Sequence, residues 1–179
     1  MQVLRTPFDG LLELMPTIYS DNRGWFYESF KNSAFRESGI EYDFLQDNQS
    51  FSRKGVIRGL HFQREPYAQA KLAMVLVGKV LDVVVDLRPG SQTFGKVYKC
   101  VLDGERRNML MVPDGFAHGF AALEDSMFLY KCSKEYHKEA EGGIIWNDPD
   151  LNIDWQVANP IISEKDQKLP AFRDLVKNL

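Results

Sequence analysis

The chain has 179 residues, 44% hydrophobic, 26% charged and 12% aromatic, the balance of a folded protein with one sizeable core, which excludes a disordered or collagen-like chain. A formal net charge of -3 excludes the dense basic face that nucleic-acid binding requires. No apolar run approaches the roughly 20 residues that span a bilayer, and residues 1–13 lack a signal-peptide layout, so a cytoplasmic location is expected.

No Gly/Ser-rich linker or low-complexity run divides the chain, and one domain over residues 1–179 is expected. Residues 1–30 read as short extended segments, 11–15 and 24–30, punctuated by Pro7, Gly10, Pro16 and a turn at 20–24. Arg23 and Glu28 stand beside Trp25, Phe26 and Tyr27, a mixture that an edge strand with a solvated face also shows. Residues 31–38 read as a short helix closed by Gly39. Extended chain returns over 44–51, carrying Gln46, Asp47, Asn48 and Gln49.

Residues 56–62 place Arg58 and His61 inside a strand-like run. The chain has only 3 histidines, at 61, 118 and 137, and histidine is the side chain that exchanges protons near neutrality. His61 is either a core histidine satisfied by one hydrogen bond or a proton-transfer group, and this segment leaves both open. Strict alternation puts Arg58 and His61 on opposite faces, so a site using both requires a bulge, for which Gly59 is the candidate.

Beyond Lys71 the pattern is strongly β. Segments 72–77, 80–87, 97–102, 109–112 and 127–133 are apolar and valine-rich, separated by turn signals such as Arg88-Pro-Gly-Ser and Leu102-Asp-Gly-Glu. Spacing of about ten residues from strand to strand suits an antiparallel sandwich or barrel. Leu81, Val83, Val85 and Leu87 alternate with Asp82 and Asp86, giving one apolar and one partly polar face. Cys100 and Cys132 lie in strand-like runs without metal-type spacing and are expected to be buried free thiols. In the tail, Leu169, Phe172, Leu175 and Val176 stand at helix-like spacing interrupted by Pro170, which predicts one or two short helices against the barrel over 164–179.

Pro113-Asp-Gly-Phe-Ala-His118-Gly-Phe, with Arg58-Gly-Leu-His-Phe-Gln, resembles the two motifs of the cupin superfamily, jelly-roll barrels whose histidines face the interior. Many cupins hold a metal through a His-x-His pair; here Gln63 stands at the second histidine, a poor transition-metal donor, so neither a metal nor a cofactor is expected. A longer ordered series narrows the resemblance: Asp21-x-Arg23-Gly-x-Phe-x-Glu28, Gln46-Asp-Asn48, Lys71-Leu, Phe128-Leu-Tyr130-Lys, Glu141-Gly-Gly-Ile-Ile-Trp-Asn-Asp148 and Ser163-x-Lys165-Asp166. With the two motifs above, this set resembles the dTDP-4-dehydrorhamnose 3,5-epimerase family over nearly the whole chain.

That resemblance implies an isomerase without cofactor. It would convert dTDP-4-dehydro-6-deoxy-D-glucose to dTDP-4-dehydro-L-rhamnose through enolates, in the synthesis of dTDP-L-rhamnose for cell-envelope polysaccharide. It implies His61 as base, Asp166 as its orienting carboxylate and Tyr130 as acid on the opposite face. Lys71 and Arg58 match the cations near the sugar and diphosphate. Gln46, Asp47, Asn48, His118, Glu141 and Lys165 fall at substrate-binding positions, and Tyr136 at the aromatic that stacks on thymine. Arg23, Phe26 and Glu28 are, in the family, offered to a neighbouring subunit's pocket, so a homodimer with shared sites is expected. Three other readings remain: an epimerase acting at C3 or C5 alone, a ketoisomerase of similar fold, and a sugar-nucleotide sensor that kept the pocket.

Overall fold

The computed structural model describes residues 1–177; Asn178 and Leu179, the end of the predicted helical tail, lie outside the described residues. Two antiparallel sheets carry the architecture. The first runs β1 (Gln2–Arg5), β2 (Leu12–Met15), β10 (Met109–Val112), β7 (Lys71–Val77), β12 (Ser126–Cys132) and β5 (Gln46–Ser52). The second runs β13 (Glu141–Gly143), β6 (Val56–Gln63), β11 (Phe116–Ala122), β8 (Lys79–Asp86) and β9 (Val97–Asp103), with β14 (Ile161–Ile162) added parallel to β6. Strand neighbours such as β10 beside β2 and β7 are distant in sequence, as in a jelly roll.

Alternation sorts each strand's side chains between two environments. Ala73, Val75, Leu110, Val112 and Phe128 of the first sheet meet Val80, Val84, Cys100, Leu102, Phe116 and Phe120 of the second, forming the core between them. Phe120 and Phe128 stack across that gap with centroids 4.3 Å apart. Burying a ring as fully as Phe128 stabilises the fold by roughly 1.5–3 kcal/mol.

The outer faces are covered by what the sequence placed at either end. Helix α1 (Asn32–Glu37) and Ile40 set Phe35 and Ile40 on Leu14, Leu72, Met74, Met109 and Met111 of the first sheet. The tail, through Ile144, Leu151, Trp155 and Leu175 of helix α2 (Phe172–Val176), packs on Leu81, Val83, Val85 and Leu87 of the second. The apolar face of β8 therefore lies under the tail. Its polar face, with Asp82 and Asp86 both buried, looks into the space between the sheets.

The extended segment predicted over 24–30 is a strand only in part. β3 (Tyr19–Asp21) and β4 (Gly24–Phe26) form a separate two-stranded ribbon, fully exposed. Cys100 and Cys132 are buried and free, and no helix among the described residues is long and apolar enough to cross a membrane.

Candidate active site

A cleft of about 640 Å³ opens between the sheets, and its first wall depends on two glycines. β6 and β11 pair His61 with His118 and Arg58 with Phe120, so Gly59 and Leu60 together oppose Gly119 alone. This is the predicted bulge. Gly59 has φ +120°, and a Cβ there would lie 2.6 Å from Gly119 Cα, so only glycine allows the approach. The extra residue brings Arg58 and His61 to the same face, and both line the cleft.

The Gly59 N–H donates to Asp166 Oδ2 at 3.2 Å, while Asp166 Oδ1 lies 2.7 Å from His61 Nε2. Asp166 opens a 3-10 turn, where its own N–H is taken by Ser163 Oγ at 3.1 Å. Burial disfavours the Asp166 carboxylate, but the bonds from His61 and Gly59 outweigh it and hold its pKa below the ordinary value. A neutral imidazole that donates Nε2–H to Asp166 carries its lone pair on Nδ1, ready to accept a proton.

The facing wall belongs to the first sheet. Tyr130 and Lys71, on adjacent strands β12 and β7, line the cleft with Asn48 of β5, and the stacked Phe120 and Phe128 floor it. Burial raises the Tyr130 pKa, keeping the phenol protonated, and lowers that of Lys71, whose Nζ lies 5.9 Å from the Tyr130 ring centroid. A base on one sheet thus faces a protonated phenol and a buried amine on the other.

A family model described as dTDP-4-dehydrorhamnose 3,5-epimerase matches residues 5–174. The chain belongs to the dTDP-4-dehydrorhamnose 3,5-epimerase family. The enzyme of that name from Shigella flexneri is 48% identical over 176 residues, 97% of each chain. A dTDP-6-deoxy-D-glucose-3,5-epimerase from Legionella pneumophila, crystallised with dTDP-4-keto-L-rhamnose, is 44% identical with a TM-score of 0.92, covering 96% of this chain and 93% of that one. A 3'-monoepimerase from Streptomyces bikiniensis, in complex with dTDP-quinovose, is 33% identical with a TM-score of 0.90, covering 97% and 89%.

In this member of the epimerase family the other predicted site residues divide into groups. Arg58 lines the cleft, its Nε donating to Ser52 Oγ at 3.0 Å and its second amino group to the Phe51 carbonyl at 3.1 Å. Gln46, Tyr136 and Glu141 line a continuation of the cleft beyond His61 and Lys71. There Glu141 accepts from Lys165 Nζ at 2.6 Å and from the Tyr136 hydroxyl at 3.0 Å, and these bonds overcome burial to lower its pKa. His118 is buried at the back, its Nε2 2.9 and 3.0 Å from the two Asp82 oxygens.

Four predicted residues stand elsewhere. Asp47 faces outward: with Gln46 and Asn48 inward, alternation turns its side chain to the outer face, where it pairs with Lys131 Nζ at 2.7 Å. Arg23 and Phe26 are exposed on the ribbon, and Glu28 pairs with Lys31 at 3.3 Å just beyond it. Sequence reasoning missed Asp82 and Ser52 as partners of cleft residues. Asp82 left a signal, a carboxylate set between Leu81 and Val83 in the apolar run of β8. Ser52 left none. Gln63 is occupied by three backbone groups, and among the described residues no three His, Cys, Asp or Glu side chains gather as a metal site requires.

Proposed function

We propose that this protein inverts C3 and C5 of dTDP-4-dehydro-6-deoxy-D-glucose, yielding dTDP-4-dehydro-L-rhamnose, by two rounds of deprotonation and reprotonation through an enolate. The observation that carries the reading is the opposition of His61–Asp166 and Tyr130 across one cleft, from facing sheets. The C4 ketone acidifies both adjacent C–H bonds. His61 takes the proton, the electron pair moves onto the C4 oxygen, and Tyr130 delivers its proton to the other face of the carbon. After one inversion His61 is an imidazolium and Tyr130 a phenolate. Exchange with solvent restores both before the second carbon reacts.

Lys71, a buried amine beside Tyr130, would donate to the enolate oxygen, and donors so placed contribute about 3–4 kcal/mol each in related chemistry. The diphosphate falls to Arg58 and Lys165, and the base to Tyr136. Arg23, Phe26 and Glu28 fit a second subunit's cleft, because the ribbon exposes Tyr19, Trp25 and Phe26 together. We therefore read the unit as a homodimer of single-domain chains with shared sites. Two free buried thiols suit a reducing compartment, and we assign the protein to the cytoplasm.

Product NMR in deuterated water tests this. Deuterium at both C3 and C5, each inverted, is expected. Label at one carbon alone would make the protein a single-position epimerase, and no label would make it a sensor.

A further inference from the structure

Residues 133–137 join β12 to the 3-10 turn at Lys138–Ala140 with no regular structure, so their backbone groups must find partners elsewhere. Three glutamine side chains supply them. Gln69 Nε2 donates to the Lys134 carbonyl at 2.7 Å, and Gln63 Nε2 to the Glu135 carbonyl at 3.3 Å. Gln46 Oε1 accepts from the Tyr136 N–H at 2.8 Å, and Gln63 Oε1 from the His137 N–H at 2.6 Å. Four consecutive residues are each held by one amide. Glutamine suits this because one side chain offers a carbonyl and two N–H donors, the same groups a neighbouring strand would present.

Gln63 goes further. Its Nε2 also donates to the Tyr67 carbonyl at 2.7 Å, tying the segment that follows β6 to the same loop. The Tyr67 ring lies on the His137 ring, centroids 3.7 Å apart and planes within 10°. The amide has one sensible orientation, since carbonyls face its nitrogen and an N–H faces its oxygen. Gln63 is buried, at the sequence position where a metal-binding relative would carry a ligand, and it faces the loop that carries Tyr136.

We propose that Gln63 and Gln69 are positioning residues that set the Tyr136 loop for the nucleotide, so that affinity for the dTDP moiety depends on side chains that do not themselves stack on it. This rests on the reading that Tyr136 receives the base. A stacking ring gains little if the loop under it must be ordered on binding, because that ordering subtracts from affinity.

The test measures dTDP binding by calorimetry, with KM and kcat on the full substrate, for Gln63→Met, Gln69→Ala and Tyr136→Ala. Gln63→Met keeps the volume and removes every bond. Its dTDP affinity should fall about tenfold and that of Gln69→Ala about threefold, the scale of lost hydrogen bonds. KM should rise in step while kcat changes by less than about twofold, and amide exchange at Tyr136 and His137 should quicken. Faster exchange with unchanged dTDP affinity would overturn the proposal, as would a fall in kcat with KM unmoved. Should Gln63→Met not fold, Gln69→Ala, half-buried at the loop's edge, decides alone. If Tyr136→Ala leaves dTDP affinity intact, the assignment of the base to Tyr136 fails, an outcome separate from failure of the glutamine variants.

Discussion

One cleft wall carries two histidine–aspartate pairs on adjacent strands. The His61 side chain is 31% exposed with its Asp166 partner at 5%, whereas His118 and Asp82 stand at 6% and 0%. Asp166 divides its oxygens between His61 and the Gly59 N–H; Asp82 gives both of its oxygens to one nitrogen of His118. The first pair couples an anchored carboxylate to an imidazole open to substrate and solvent. The second is closed on itself. In the proposed reaction the same two residue types do different work, proton transfer in one case and support for the wall in the other.

The largest expected effect is on the open pair. Asp166→Asn should lower kcat by about 10³–10⁴-fold, as when an orienting carboxylate is removed from a catalytic histidine, while KM stays within a few-fold. His61→Ala should abolish both deuterium exchange and inversion. Steady-state kinetics and product NMR measure these. Near-normal turnover in Asp166→Asn would show that something other than Asp166 orients His61.

Tyr130→Phe comes next, because it removes only the second half of the reaction. The enolate still forms, and His61 can return a solvent-derived proton to the face it came from. Deuterium should enter with retention faster than inversion occurs, and inversion should fall within the lower part of the 10²–10⁴-fold range of general acids. Inversion at the wild-type rate would assign the acid to another group.

Asp82→Asn should separate the pairs most sharply. The amide offers the buried His118 Nε2 one oxygen in place of two and sets an N–H group beside it, at a cost of about 1–3 kcal/mol of stability. The unfolding midpoint should therefore drop below that of Asp166→Asn, with kcat reduced by only about tenfold. Should Asp82→Asn instead keep its stability and lose turnover as Asp166→Asn does, the closed pair would also belong to the proton-transfer machinery.

This contrast also marks how much was legible in the sequence. The valine-rich runs from Lys71 onward, the short helix before Gly39 and the tail packing all follow from local pattern, whereas Gly59 is only the candidate for a bulge that a site using both Arg58 and His61 would require. Alternation groups the side chains of β8 by face but does not say which face looks inward. Asp82 and Asp86 consequently read as a partly polar face, although both are buried between the sheets. Asp166 is 105 residues from His61; nothing local joins them, and only the family resemblance did. The motif around Asp47 reads as a block, whereas alternation along β5 sends its middle side chain outward to Lys131.

The pH response sharpens the comparison by a smaller amount. The Asp166 pKa lies below its ordinary 3.8, so its stabilising contribution is complete above the unfolded value and is lost as pH falls through the lower folded one. The stability gap between wild type and Asp166→Asn should therefore be flat from neutrality to about pH 5 and close only in stronger acid. Urea denaturation across that range measures it, and a gap that begins to close near pH 6 would assign the coupling to another group.

The smallest effect belongs to Asp47, and it tests the strand geometry on which the comparison stands. Asp47 sits between Gln46 and Asn48, yet its partner is Lys131 on the outer face, with the carboxylate 56% exposed. An exposed ion pair of this kind contributes at most about 1 kcal/mol, since water screens it and both side chains lose freedom to form it. Asp47→Ala should then leave KM and kcat within about twofold and barely move the unfolding midpoint, whereas Asn48→Ala, one residue along and inside the cleft, should raise KM. A rise in KM for Asp47→Ala equal to that of Asn48→Ala would mean that β5 turns in solution so that Asp47 faces the cleft, and the inward row of β5 opposite His61 would have to be reassigned.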